Sequence, residues 1–200
     1  MLGLPKATEL SKQLPKKAIY AKFGMNTAAK EKFDKDISKI VIVNEVSPST
    51  TSIAEGEEVK AVYVLNILLK NKDFDEKTIQ QITKLIPQNL LLLLEHEGKS
   101  KLAVYRTKLL QSEWKPSEEL SVQIKGLNLD AVWENIVVQI GNVEIEEGNT
   151  LDEQIAADEK RAKLEKEIAR LEKMAKNEKQ PKKKFEIVQK IKNLEQEMCK

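Results

Sequence analysis

Two hydrophobic periodicities divide this chain. In its last fifty residues apolar positions recur at spacings of four, three and four: Leu164, Ile168, Leu171 and Ala175, then Ile187, Ile191, Leu194 and Met198. A period near 3.5 keeps one narrow apolar seam facing a partner helix. Pro181 stands between the two series. Ala175 and Ile187, Leu171 and Ile191, Ile168 and Leu194, and Leu164 and Met198 lie equidistant from it, as do Met174 and Val188. A proline inside a helix removes a backbone donor and costs about 3 kcal/mol. It also turns the preceding residue, here Gln180, away from helical angles. The pattern therefore predicts helices over about 151–178 and 181–198, folded as an antiparallel hairpin, in preference to one continuous helix. Thr150 and Glu153 have the spacing of a capping box, and Asp152 and Glu153 sit at the favourable end of the helix dipole.

Upstream the pattern is mixed. Pro5 and Pro15 each open a short helix as its first residue, and Phe23-Gly24 is a stop. Asn26 or Thr27 caps a helix to about Ile37, with a thin apolar face of Ala28, Ala29, Phe33 and Ile37. Ile40–Val43 reads as a short strand ending at Asn44, and residues 47–58 as a polar loop. Val59–Leu69 is the longest strand candidate. Val62, Val64, Asn66 and Leu68 share one face and Ala61, Tyr63, Leu65, Ile67 and Leu69 the other, so it belongs at the centre of a sheet covered on both sides.

Asp73 or Asp75 starts a helix through Ile79, Ile82, Leu85 and Ile86, which Pro87 ends. Leu90–Glu95 and Lys101–Arg106 are strands joined by a turn at Glu97-Gly98-Lys99-Ser100. Leu120–Leu127 follows as an edge strand, and Asp130–Ile140 as a helix with Ala131, Trp133, Ile136, Val137 and Ile140 on its apolar side. This order predicts an α+β fold. A mainly antiparallel sheet with flanking helices occupies residues 1–145, and a C-terminal, coiled-coil-like antiparallel helical hairpin occupies 150–200, with Gly141–Gly148 between them.

Composition removes several functions. Charged residues make up 33% of the 200 residues, yet the formal net charge is only +2, which gives no global argument for nucleic acid or an anionic membrane. The single cysteine, Cys199, cannot form an internal disulfide, as expected of a reducing cytoplasm. The opening residues lack the apolar core of a signal peptide, and Leu90–Leu94 is too short to span a bilayer. A cytoplasmic protein with no membrane association is expected.

Candidate chemistry is sparse. His96, the only histidine, lies at the hairpin tip, where Glu95 and Glu97 face away from it; an exposed polar turn is the expectation, not a metal site. Cys199 has no adjacent base, and Gly-x-Ser-x-Gly elbows and phosphate-cradling glycine loops are absent. A metal-dependent nuclease needs several acids on the sheet, and Val59–Leu69 contains none. Asn66 in that strand is expected to be buried and hydrogen-bonded. No catalytic residue, metal or cofactor is predicted. The basic run around Pro181 stands out: Lys173, Lys176, Lys179, Lys182, Lys183 and Lys184, partly offset by Glu172, Glu178 and Glu186. Lysines at the start of a helix oppose its dipole, which invites an acidic partner or a phosphate backbone. Lys176, Lys179, Lys182, Lys183 and Lys184 are thus the candidate nucleic-acid contacts, set against the ordinary reading of a solvated face. Aromatic residues, 4% of the chain, provide no platform interleaved with basic residues.

Several segments carry a resemblance. Gly3-Leu4-Pro5-Lys6, Leu14-Pro15-Lys16, Asp36–Ile40 and Ser47-Pro48-Ser49-Thr50 are similar to a bacterial family, domain of unknown function 4391. So are Ile86-Pro87, Ser112-Glu113-Trp114, Leu127-Asn128-Leu129-Asp130 through Ile140, and Asn177-Glu178-Lys179-Gln180-Pro181. The resemblance covers nearly the whole chain and carries over no catalytic residues. It implies a gene near helicases and DNA methyltransferases of restriction or phage-defence loci, an association of context. The expected function is a non-catalytic accessory or interaction subunit with a protein partner such as a helicase or methyltransferase. The alternatives are a nucleic-acid-binding module using the lysine-rich tip and a metal-dependent nuclease.

Overall fold

The computed structural model describes residues 2–198. They divide after Glu144 into two compact units. The first is a seven-stranded sheet flanked by helices and the second is a pair of helices, an α+β architecture. The strands are β1 (Glu9–Gln13), β2 (Ile37–Val46), β3 (Val62–Leu69), β4 (Asn89–His96), β5 (Lys99–Tyr105), β6 (Leu109–Gln111) and β7 (Lys115–Pro116). The first six lie side by side in chain order, and β7 pairs with β5. The helices of this unit are α1 (Lys16–Lys22), α2 (Thr27–Asp36), α3 (Glu76–Ile82) and α4 (Leu129–Gly141).

β3 is central, as its two apolar faces require. Leu65, Ile67 and Leu69 join Ile40, Ile42, Leu90, Leu92, Leu94 and Ala103 in a core closed by Ile19 of α1, Phe33 of α2 and Ile79 and Ile82 of α3. On the opposite face Val62, Val64, Leu91, Leu102 and Val104 are buried. There α4 packs against β5 and β6, through an apolar side of Val132, Trp133, Ile136, Val137 and Ile140. Its last residue, Gly141, lies so close to the sheet that a Cβ would stand 3.0 Å from Leu110.

Local chemistry sets the ends of these helices. Asn26 accepts from the Ala29 amide at 2.9 Å and Asn128 from that of Ala131 at 3.0 Å, ordinary N-caps. Asn142, at φ +47, ends α4 in the left-handed conformation that asparagine tolerates. Lys16 and Tyr20 of α1 both donate to Asp34 of α2. Those bonds, Lys16's first, hold the Asp34 carboxyl below the usual range, while burial and then Asp34 push the Tyr20 phenol up to about 12.

Several expectations change, and α3 ends at Ile82 rather than continuing to Ile86. β3 and β4 run parallel, with Asn66 opposite Leu93 and Leu68 opposite Glu95, because α3 crosses over between them; every other pairing is antiparallel. β2 extends well beyond Ile40–Val43, its polar residues accommodated by register shifts between Ile37 and Lys39 and between Ile42 and Asn44. Residues 120–127 form no strand, since β6 and β7 already occupy the free edge of β5. That segment is instead pinned by Val122 N donating to Leu2 O and by a two-way amide bond between Gln123 and Gln139. β1 has no hydrophobic alternation and every residue exposed; it is anchored beside the buried Thr8–Asn44 contact of 2.9 Å.

A polar clasp joins the loop before β3 to α4. The Asp130 carboxylate accepts from the amides of Glu57 at 2.6 Å, Glu58 at 3.2 Å and Val59 at 2.7 Å. Gly56 makes room for it, since a Cβ there would lie 2.8 Å from Asp130 N. These bonds, that from Val59 first, lower the Asp130 pKa. A depressed carboxyl pKa contributes stability that is present above the unfolded-state value and lost as pH falls through the folded one. Asp130→Asn should therefore lower the urea midpoint at pH 7, and the gap from wild type should close below about pH 4. Gly56→Ala should cost about 1–3 kcal/mol at neutral pH. Urea titrations across that pH range check both, and a pH-independent gap for Asp130→Asn would refute the carboxylate's role.

The second unit contains α5 (Leu151–Asn177) and α6 (Pro181–Met198), an antiparallel pair with Pro181 as first residue of α6. The Thr150–Glu153 capping box is present. Among the expected seam residues Leu171, Ala175 and Ile191 are buried, while Leu164, Ile168, Ile187, Leu194 and Met198 are half-buried. Lys160 and Glu197 link the two helices at 2.9 Å.

Candidate interaction surface on the helical hairpin

The hairpin turn concentrates charge because both helices end there. Lys173 and Lys176 lie in the last turns of α5, Lys179 in the connection, and Lys182, Lys183 and Lys184 in the first turn of α6. All six are exposed, and none forms an ion pair among the described residues. The first turn of α6 holds no acid, so its three lysines face the positive end of the dipole without local relief. Glu178 accepts from the Gln180 amide at 2.9 Å in the connection itself. The structure thus brings Lys176, Lys179, Lys182, Lys183 and Lys184 to one end of the hairpin.

Apolar surface accompanies the charge. Phe185 is 62% exposed and Met174 45%. Met174, Ile187 and Asn177 line an open groove together with Arg170, Lys173 and Glu178. Arg170 is held at its edge by a two-pronged bond to Glu167, at 2.6 and 2.8 Å. Phe185 directly follows Lys182-Lys183-Lys184, an aromatic neighbour to the basic run. The signal was in the sequence: Phe185 lies off the four-three-four seam.

The candidates on the sheet are placed differently. The turn between β4 and β5 is only Glu97-Gly98, at φ +47 and +76, a two-residue hairpin loop. His96 is therefore the last residue of β4. Its side chain is 17% exposed, not an open turn, and its Nδ1 stands 3.3 Å from Leu69 O. Asn66 is half-buried; its Nδ2 donates to Glu95 Oε2 at 2.9 Å, while its enclosed Oδ1 has no partner. The acid that reaches Asn66 thus comes from the neighbouring strand. No group of three potential metal ligands occurs among the described residues, and Cys199 lies outside them.

Sequence reasoning also missed a polar cluster on the α4 face of the sheet. Ser100, fully buried, contacts Ser117 Oγ at 2.7 Å, and Ser117 Oγ donates to Gly98 O at 3.0 Å. Glu95, Glu118 and these serines share the wall of a cavity of about 510 Å³. These four polar residues come from β4, β5 and the short helical turn after β7, so no local motif announces them. On the other face Lys101 lies between Phe74 at 4.8 Å and Trp114 at 5.3 Å, and burial lowers its pKa.

No described helix is long and apolar enough to cross a membrane. Residues 2–198 match the family described as domain of unknown function DUF4391, and the chain belongs to that family. No curated protein matches the chain, and no solved structure does.

The seam yields a direct test. Leu171 is buried among apolar neighbours, where a carboxylate costs more than the roughly 2–5 kcal/mol of a buried Leu→Ala change. Leu171→Asp should abolish the hairpin's helical circular dichroism and expose residues 145–198 to protease, leaving a folded fragment ending near Glu144. Digestion of both units together would refute the hairpin's separate stability.

Proposed function

We propose that this DUF4391 protein is a non-catalytic interaction subunit of a restriction or phage-defence assembly. In this reading it meets a larger helicase or methyltransferase partner through the end of its hairpin. The observation that carries it is the coincidence of exposed Phe185 and Met174 with six lysines lacking ion pairs. An apolar anchor within a charged rim is the anatomy of a protein interface. The excess of lysine over glutamate calls for an acidic patch on the partner, which would steer encounter as well as hold register.

The test is co-purification from the native host. Phe185→Ala combined with Met174→Ala should sharply reduce recovery of the helicase or methyltransferase while the circular dichroism and melting of the chain stay unchanged. Retained recovery would overturn the assignment of the surface.

A second reading is favoured by Phe185 alone, since an exposed ring beside lysines suits base stacking in single-stranded nucleic acid. If Lys182, Lys183 and Lys184 contact phosphates, log affinity should fall with log salt at a slope of about −2 to −3. Replacing the three by glutamine should remove most of that slope, and Phe185→Ala should weaken the single strand more than the duplex. Fluorescence anisotropy with labelled oligonucleotides reads all three effects. No binding at low salt would eliminate this reading and leave the protein partner.

A further inference from the structure

We infer that the cavity on the α4 face of the sheet binds a small organic cation, an ammonium or guanidinium group on a short apolar stem. The hydrogen-bond accounting at its wall leads there. Gly98 O can only accept, and it takes the Ser117 hydroxyl at 3.0 Å beside the Ser117 amide at 3.1 Å. With that bond made, the 2.7 Å contact between the two hydroxyls is donated by Ser100. Each hydroxyl has one proton, so both serines have only acceptor capacity left. Glu95 and Glu118 are acceptors too when ionised. Every polar side chain lining the cavity therefore lacks a donor to offer. A ligand that satisfies such a wall must bring donors, and with two carboxylates it must bring positive charge.

Neither carboxylate has a cationic partner among the described residues. Glu95 is half-buried and already oriented by the 2.9 Å bond from Asn66 Nδ2, which aims a charged acceptor without neutralising it. Glu118 is exposed and stands at the rim. The rest of the wall is apolar. Leu2, Leu93 and Leu120 are all at least nine-tenths buried, a surface for an aliphatic stem rather than for a hydrated ion. At about 510 Å³ the space is within the usual range for small-molecule sites. It also lies where β4 ends beside the parallel β3, and the carboxyl ends of parallel strands are recurrent ligand positions.

Isothermal titration of the full chain with butylguanidinium, and with butylurea as its neutral isostere, tests the assignment. The cation should bind saturably at one site per chain and the urea should not. Glu95→Gln keeps an acceptor for Asn66 but removes the charge, and should weaken the cation about 10- to 100-fold. Glu118→Gln lies at the exposed rim, where the fold does not depend on it, and should weaken it by a smaller factor. Glu144→Gln removes an exposed charge that does not line the cavity and should change nothing. Absence of saturation, equal binding of butylurea, or unchanged affinity in both rim and wall variants would overturn the proposal. So would displacement by magnesium at matched ionic strength, which would make the site a metal site.

Discussion

The parallel pairing of β3 with β4 organises the first unit. Parallel neighbours need a crossover, and here α3 supplies it between Leu69 and Asn89. Both faces of the pair are then committed to burial. One face closes over α1, α2 and α3, the other lies on the side where α4 packs against β5 and β6, and the hydrophobic run of β4, Leu90–Leu94, is buried on both. The antiparallel strands on either side extend the sheet outward, ending in the exposed β1 and the broken edge made by β6 and β7.

The same pairing explains where polar groups collect. Leu68 stands opposite Glu95, and Glu95 is also opposite Ser100 across the β4–β5 hairpin. The sheet changes from apolar to polar at that level. Asn66, Glu95, Ser100 and Ser117 are bound to one another or to backbone there, without a cation among them. In the low dielectric of a partly covered sheet such groups are oriented strongly, which favours a site prepared for a ligand over a solvated edge.

The second unit follows a different logic. Its stability depends on one narrow seam, so the remaining surface of each helix is free for charge. The lysines around Pro181 oppose one another and the dipole of α6, and Phe185 adds exposed apolar area that the seam does not use. Both features are costs to the isolated hairpin. They are consistent with selection for contact with something else.

Sequence by itself determined the features that depend on neighbours a few residues apart. The hairpin about Pro181, the capping box at Thr150, the Asn26 cap and the two-sided burial of β3 are of this kind, since period, propensity and capping act within a helical turn or along one strand. β1 escaped because its five residues are held by pairing to β2 and carry no alternation of their own. The 120–127 segment misled because alternation speaks for a strand only while an edge is vacant, and β6 and β7 filled it. The lysine tip was legible as a run of charge, whereas the exposure of Phe185 came from the direction in which the seam turned α6. The Glu95–Asn66 bond, the Ser100–Ser117 pair and the clasp of Asp130 on the amides of Glu57, Glu58 and Val59 join residues 17 to 73 positions apart. Only tertiary structure could bring them within hydrogen-bond reach, because the strand register that aligns them is a property of the whole sheet.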